Sequence, residues 1–309
     1  MSAATTGLRR KRTGATKVRE PLGDRMFLIV ITLMLVVLLL VVLVPLVFIV
    51  ASSFSSAEAV NAGRVSFWPV DFTLHAYQVA LSNSQVLQGY YNSFIYAAAG
   101  TLISVTLTVA IAYPLSRKSF YGRNVIMTLL IFTMLFSGGL IPTYMVVQDL
   151  GMLNTRWALL IPNAIGVWQV IIARTFFANS IPDELHEAAM LDGAGDLRTL
   201  RSVVLPLSKP LLAVLALMYA IFQWNTYFDA LVYLKDADLY PLQIVLRNML
   251  ILNTTRPGSQ DLAQQLEAQQ LAGVLRYALI VVSSLPVLLI YPFIARHFTK
   301  GVLVGAVKG

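Results

Sequence analysis

Long apolar runs alternate with short polar segments along most of the chain. The first run, residues 26–50, carries no charge and would extend about 37 Å as a helix, more than the ~30 Å hydrocarbon core of a bilayer. A secretory signal peptide has an apolar region of only about 7–15 residues, although Ala57-Glu58-Ala59 resembles a cleavage site. The pattern therefore predicts a first membrane span that is retained in the mature protein.

Five further runs predict five more spans, at residues 91–113, 125–147, 157–177, 210–231 and 275–294. With an N-terminus inside the cell, 17 of the 23 lysines and arginines fall on the inner segments, as the positive-inside rule requires. We predict an all-α polytopic membrane protein with six transmembrane helices and both termini cytoplasmic. A basic tail, residues 1–25, would precede the transmembrane domain, residues 26–309.

The composition supports a membrane protein and excludes sites that depend on cysteine. Apolar residues make up 57% of the chain and charged residues 12%, about half the charge of a soluble domain. Because there is no cysteine, a disulfide framework and a thiolate zinc site are excluded. His75, His186 and His297 lie on different segments without metal-ligand spacing, so no metal site is predicted. The net charge of +8 comes from the tail and inner loops, which face anionic lipid, and predicts no nucleic-acid partner.

One inner loop, residues 179–209, interrupts the apolar pattern with the charged stretch EAAMLDGAGDLRTLRSVVLP at 187–206. Its residues predict two short helices. Ser180 and Asp183 are spaced as in a capping box, with Pro182 in the first turn. Gly193 can take the left-handed backbone that ends a helix.

The second short helix is expected to begin at a cap on Asp196 and to end near Pro206 and Pro210, where the next span starts. The first helix carries small apolar contacts at Leu185, Ala188, Ala189 and Leu191. Two interpretations remain open at this point. The loop either docks a partner or lies on the membrane surface as an amphipathic segment without one.

The same loop resembles the cytoplasmic motif of binding-protein-dependent ABC importer permeases. That motif is Glu-Ala-Ala, three residues, Gly, nine residues, an aliphatic residue, one more, then Leu-Pro. Here it reads Glu187-Ala188-Ala189, Gly193, Val203 (where isoleucine is commoner) and Leu205-Pro206. Asp192 and Ala194 complete the Asp-Gly-Ala variant. The resemblance covers nearly the whole chain after the basic tail.

The carbohydrate-uptake branch, the maltose-permease-like subunits with six spans, is the most similar. The matching features are Tyr91-Asn92-Ser93, RKSFYGR at 117–123, Trp224-Asn225 and GVLVGAVKG at 301–309. The stretch FSGGLIPTY at 136–144 resembles a subgroup associated with oligosaccharides, including breakdown products of complex polysaccharides.

The resemblance implies that the loop is a coupling helix resting in a cleft of an ATP-hydrolysing subunit. The coupling residues would be Glu187, Ala188, Ala189, Asp192, Gly193, Leu205 and Pro206. The C-terminal residues Gly305, Lys308 and Gly309 would reach toward the same subunits, unless the tail is simply frayed. The implied partners are a second homologous permease, two ATP-binding subunits and an extracytoplasmic sugar-binding protein, in the inner membrane of a bacterium.

The chain itself is expected to be a transport subunit and not an enzyme, with ATP and magnesium bound by its partners. A P-loop needs Gly-x-x-x-x-Gly-Lys-Ser/Thr, and the nearest imitation ends at Lys308-Gly309. The alternative is a self-contained ion-coupled secondary carrier. Such carriers usually keep ionisable groups at mid-membrane, whereas Asp229 is expected near the outer end of span five. Broken helices and internal repeats would favour a carrier, and neither is clear in the sequence.

A sugar path requires rings that stack on sugar faces and amides that bond hydroxyls. The candidates lie in span four and around span five: Asn163, Gln169, Gln223, Trp224, Asn225, Tyr227 and Asp229. The alternative is that these side chains bond neighbouring helices to one another. In the resembling family the tighter sugar contacts can lie mainly on the partner permease.

Overall fold

The computed structural model describes residues 22–252, 271, 273–290 and 292. This part of the chain is all-helical apart from its turns, which confirms the predicted class. The helices before the charged loop are α1 (Leu22–Ser53), α2 (Ala57–Asn61), α3 (His75–Ser82), α4 (Ser84–Ser116), α5 (Arg123–Leu135), α6 (Leu140–Asp149), α7 (Trp157–Leu160) and α8 (Val167–Ser180). Those in and after it are α9 (Asp183–Leu191), α10 (Asp196–Thr199), a π-helical turn (Leu200–Val204), α11 (Leu205–Leu207), α12 (Lys209–Trp224), α13 (Phe228–Tyr233), a 3-10 turn (Ala237–Leu239), α14 (Leu242–Leu252) and α15 (Gly273–Ile290).

Two compact units divide the chain, Met1–Phe48 and Ile49–Gly309. In the first, the described residues belong to α1, which contains the whole of the predicted span at 26–50. The second unit holds the remaining helices, and its centre is α4, which packs against α8, α12 and α14.

Three described helices are long and apolar enough to cross a membrane: Gly23–Ser53, Ser84–Ser116 and Gly273–Ile290. Two sharply bent helix pairs raise the number to five if each pair is one span. The angles are 115° between Arg123–Leu135 and Leu140–Asp149, and 83° between Asp196–Leu207 and Lys209–Trp224. These helices overlap the predicted spans at 26–50, 91–113 and 275–294, and the bent pairs overlap those at 125–147 and 210–231, whereas 157–177 matches no such helix or pair among the described residues.

The predicted spans at 125–147, 157–177 and 210–231 are not continuous helices. The first is broken beside Gly139, whose φ of +85° lies in the left-handed region that glycine adopts at low cost. The second is interrupted between α7 and α8, where Pro162 has no N–H to donate. The third stops at Trp224 and resumes at Phe228. The structure thus contains helix breaks that were not clear in the sequence.

The break between α7 and α8 is stabilised by a polar contact with α12 and α4. The Gly166 amide donates to the Tyr219 hydroxyl over 3.1 Å, and that hydroxyl lies 2.7 Å from Thr108 Oγ1. Backbone groups freed at membrane depth need such partners, because no water is available in the hydrocarbon core. Around this contact, the buried cluster joins α4, α8 and α12 through Val109, Ala112, Tyr113, Leu115, Val170, Ala173, Phe177, Leu211 and Leu215.

Candidate functional site

The charged loop does form two short helices, but their starts differ from the prediction. Ser180 is the last residue of α8, and Pro182 occupies the cap position of α9 without a side-chain hydrogen bond. The capping-box prediction is therefore wrong, because the chain turns at Ile181 and Pro182 with extended backbone. Asp183 and Glu184 occupy the first turn of α9, where negative charge is favoured by the helix dipole.

The end of α9 confirms the predicted role of Gly193. Its φ is +76°, and its amide donates to Met190 O over 3.0 Å. The Ala194 amide donates to Ala189 O over 2.9 Å. This pair of bonds is the Schellman arrangement, which satisfies the last carbonyls of a helix and needs a left-handed residue at this position.

The second helix runs further than predicted. Gly195 precedes it as the cap, so Asp196 is its first residue instead. The helix then continues through the π-helical turn and through Pro206, and it bends at Ser208. Pro206 does not end it, and the proline follows closely after the π-helical turn.

Most of the predicted coupling residues lie on the surface of this loop. Glu187, Ala188, Asp192, Gly193 and Pro206 are exposed, Leu205 is half-buried and Ala189 is buried. Large apolar side chains are exposed beside them: Met190 is 61% exposed, Leu191 89% and Leu197 79%. Contiguous exposed apolar residues with a polar rim are typical of a surface that a partner covers.

One side of α9 lies against the C-terminal end of α4. The Asp183 carboxylate is 3.1 Å from Lys118 Nζ and 3.5 Å from Arg117 Nη1. The ring of His186 packs on that of Tyr113, with 5.9 Å between centroids. Hydrogen bonding and charge from Lys118, with smaller effects from Arg117 and His186, lower the pKa of Asp183. Burial, followed by the charge of Arg117, lowers the pKa of His186.

Among the predicted sugar-path residues, the structure brings Asn163 and Asp229 together. The Asn163 amide donates to Asp229 Oδ2 over 2.8 Å, which joins the break after α7 to the start of α13. Beside them is a groove of about 280 Å³ lined by Ile221, Phe222, Asn225, Thr226, Tyr227, Phe228 and Asp229. Asn225 and Tyr227 are exposed, although the Asn225 amide already donates to Ile221 O over 2.9 Å.

The other three candidates point into helix contacts. Trp224 is buried, and its indole N–H donates to Ser283 O over 3.1 Å. Gln169 folds against Gly166. Gln223 is only 1% exposed, and neither polar atom of its amide has a hydrogen-bond partner within the part of the chain described.

Tyr219 and Thr108 were not selected from the sequence, and Arg117 was noted only as part of the stretch RKSFYGR, although each of the three organises the interior. The sequence contained one indication for Tyr219. It precedes Gln223 by one helical turn, so the two side chains lie on the same face of the helix. No group of three metal-ligating side chains occurs among the described residues. His297 and the predicted tail residues Gly305, Lys308 and Gly309 lie outside the described residues.

The chain is similar over most of its length to named transport proteins. It is 39% identical over 287 residues to the polygalacturonan/rhamnogalacturonan transport system permease protein YtcP of Bacillus subtilis, covering 93% of this chain and 99% of the relative. It is 41% identical over 286 residues to protein LplC of the same organism, covering 92% and 96%. The melibiose/raffinose/stachyose import permease protein MelC, also of Bacillus subtilis, is 28% identical over 78% of this chain and 83% of the relative. No family profile matches the chain.

A solved structure has the same fold. It is a bacterial ABC transporter involved in the import of the acidic polysaccharide alginate. The TM-score is 0.82 and the identity 35%, covering 90% of this chain and 99% of that chain.

Proposed function

The chain belongs to the carbohydrate-uptake permeases of binding-protein-dependent ABC importers, and we propose that its cargo is an oligosaccharide containing uronic acids. It is a transport subunit and not an enzyme, since its relatives are permease subunits and ATP hydrolysis lies on separate subunits. The comparisons give no support to an ion-coupled secondary carrier.

The cargo proposal rests on two relatives with the same substrate chemistry. The names of YtcP and of the solved transporter specify polygalacturonan/rhamnogalacturonan and alginate. Galacturonan and alginate are chains of sugar acids, so their fragments carry a carboxylate on many rings. If the groove beside α13 receives such a fragment, Asp229 is expected to accept bonds from sugar hydroxyls, because two carboxylates repel each other.

The proposed topology has six crossings of the bacterial inner membrane, with both termini in the cytoplasm. It is supported by the excess of basic residues on the inner segments and by the apolar helices. Each bent pair would then be one broken crossing or part of one. Irregular backbone is tolerated at membrane depth where protein surrounds it or where it lines a cavity.

The proposed coupling element is α9 with its turn. Glu187 would make polar contacts with an ATP-binding subunit, Ala188 and Ala189 would allow close approach, and Gly193 would form the turn. Asp192, Leu205 and Pro206 would complete the surface. The support is the exposure of most of these residues beside Met190, Leu191 and Leu197. Gly305, Lys308 and Gly309 would reach the same subunits.

The complete importer would contain this chain, a second permease, two ATP-binding subunits and an extracytoplasmic sugar-binding protein. The two permeases would share the path, with Asn163, Gln169, Gln223, Trp224, Asn225, Tyr227 and Asp229 as the candidate contacts on this chain. The groove next to the Asn163–Asp229 bond supports that assignment for Asn225, Tyr227 and Asp229, which line it.

Transport by the complete assembly in liposomes tests the cargo. Uptake of a galacturonate trisaccharide should require ATP and the binding protein, and an ion gradient should not replace ATP. A neutral trisaccharide such as maltotriose serves as the matched substrate and should not be taken up. Uptake of the neutral sugar alone would contradict the proposed cargo.

A further inference from the structure

Arg117 contacts three helices at the cytoplasmic end of α4. Its Nε donates to Ser116 Oγ over 3.2 Å, and its Nη2 donates to Phe177 O of α8 over 3.1 Å. Its Nη1 lies 3.5 Å from Asp183 Oδ1 at the start of α9. The side chain is only 14% exposed. All three nitrogens of the guanidinium are thus engaged, each with a different residue.

The hydrogen bond from Arg117 to Phe177 of α8 has a counterpart that runs from α8 to α4. Arg174 of α8 donates through Nε to Leu115 O of α4 over 3.2 Å. Phe177 O and Leu115 O both belong to the last turn of their helices, where carbonyls lack intrahelical partners and the dipole favours a cation. The two arginines therefore fasten the ends of α4 and α8 to each other. Arg117 extends the connection to α9 through Asp183, which the neighbouring Lys118 also contacts.

A contact with the Tyr113 ring reinforces the connection between Arg117 and α9. The guanidinium of Arg117 lies 5.7 Å from the centroid of the Tyr113 ring, within cation–π range. The same ring packs against His186 of α9. Arg117 and Tyr113 therefore hold α9 at Asp183 and at His186, almost one helical turn apart, which restricts rotation of α9 as well as its separation from α4.

We propose that Arg117 is a positioning residue that transmits the movement of α9 to α4 and α8. The inference rests on the proposed function of α9 as the docking helix. Because α4 packs against α8, α12 and α14, a displacement passed to its end reaches these three helices. A lysine cannot replace this residue, since a single ammonium does not reproduce the planar fork of a guanidinium.

The test compares Arg117→Lys and Arg117→Gln with Lys118→Gln in the complete transporter. Lys118 is a matched control because it also contacts Asp183 but is 82% exposed. The ATP-binding subunits should co-purify normally with every variant. Transport per ATP hydrolysed should fall about tenfold in both Arg117 variants, within the range of coupling between linked sites, and should remain near the wild-type ratio in Lys118→Gln.

A distance measurement separates transmission from folding. Since the chain has no cysteine, spin labels can be placed on Ala110→Cys in α4 and Glu184→Cys in α9, both of which are exposed positions. The distance distribution should be narrow in the wild-type background, with and without ATP, and broad in Arg117→Lys. An unchanged distribution, an unchanged transport ratio, or loss of the ATP-binding subunits from Arg117→Lys would each overturn the proposal.

Failure of the docking assignment itself gives a different result. If α9 does not dock an ATP-binding subunit, Glu187→Lys retains those subunits and full transport. If α9 docks but Arg117 does not transmit its movement, Glu187→Lys loses them while Arg117→Gln transports normally.

Discussion

The amide of Gln223 packs directly on the backbone of Gly100, where a β-carbon would stand only 2.7 Å from it. Within the described part of the chain, neither polar atom of this amide has a hydrogen-bond partner. The same is true of Thr101 Oγ1 and Ser104 Oγ on the facing helix. A buried unpartnered polar group costs about 1–3 kcal/mol, so the contact between α4 and α12 is less stable than an apolar one.

Replacing Gln223 by methionine should therefore raise stability and lower transport. Methionine retains the length of the side chain but removes both unpartnered atoms, and we expect a gain of about 1 kcal/mol in thermal unfolding of the purified subunit. Sugar transport should fall, because the amide is a candidate contact on the path. Lower stability in Gln223→Met would show that the amide has partners that hold the helices together.

A second substitution tests the same contact from α4. Gly100→Ala forces the Gln223 amide to move, and overpacking of this kind costs about 1–3 kcal/mol. The double variant Gly100→Ala with Gln223→Ala should recover most of that loss, since the two changes remove the clash together. Gly138→Ala is the control, because its β-carbon would be 3.8 Å from the nearest atom, in Pro142. Additive losses in the double variant would contradict direct packing.

The packing of α9 on α4 should weaken as the pH falls through 6.5, the usual pKa of histidine. Burial and Arg117 lower the pKa of His186 below that value, against the opposing effects of Asp183 and Asp196. His186 therefore binds a proton more readily when α9 is detached from α4 than when it is packed. The stability of the packing is full above pH 6.5 and decreases below it. Asp183, whose pKa is lowered from 3.8, contributes fully above pH 3.8 and loses its contribution as the pH falls through its lowered pKa.

Hydrogen exchange of the α9 amides between pH about 8 and about 5 measures this effect. Protection should decrease toward the acid end in the wild-type chain and change little in His186→Gln. His75→Gln, at an exposed position on α3, should behave as the wild type. An acid loss of protection that persists in His186→Gln would assign it to another group.

Labelling of single cysteines tests the topology. Ser84→Cys at the start of α4 should react with an impermeant thiol reagent added outside the cell, and Ser202→Cys in the charged loop should react only after the membrane is opened. Both serines are exposed, and the natural chain contributes no thiol. Reaction of Ser202→Cys in intact cells would overturn the proposed orientation.

The sequence predicted the elements whose residues act locally. The length of α1 follows from an uninterrupted apolar run, and the turn at Gly193 follows from a residue type that takes positive φ freely. The breaks beside Gly139 and Pro162 were missed because hydropathy averages over a window and does not register backbone geometry. The continuation of the helix through Pro206 was missed because proline usually ends a helix, and the π-helical turn before it was not predicted from the sequence.

In the candidate site, too, local features could be predicted from the sequence and long-range contacts could not. The exposed face of α9 could be read from a motif that is continuous in sequence. The connection from Arg117 to Phe177 and Asp183 joins residues 60 and 66 positions apart, and nothing in local sequence indicates such a pair. The Asn163–Asp229 bond is a partial exception, since polar residues in neighbouring apolar spans are expected to find each other.

The most direct test of the account is co-purification of the ATP-binding subunits with tagged Glu187→Lys and Gly193→Val, together with sugar-stimulated ATP hydrolysis. Charge pairs broken at an interface cost about 2–5 kcal/mol, and valine at positive φ strains the turn. The controls are Glu58→Lys, at an exposed position on α2, and Gly151→Val, where φ is +67° and a β-carbon also meets open space. The account predicts that both α9 variants lose the subunits and the stimulated hydrolysis, while both controls retain them. Full retention of both in Glu187→Lys and Gly193→Val would contradict the assignment of α9 as the docking helix.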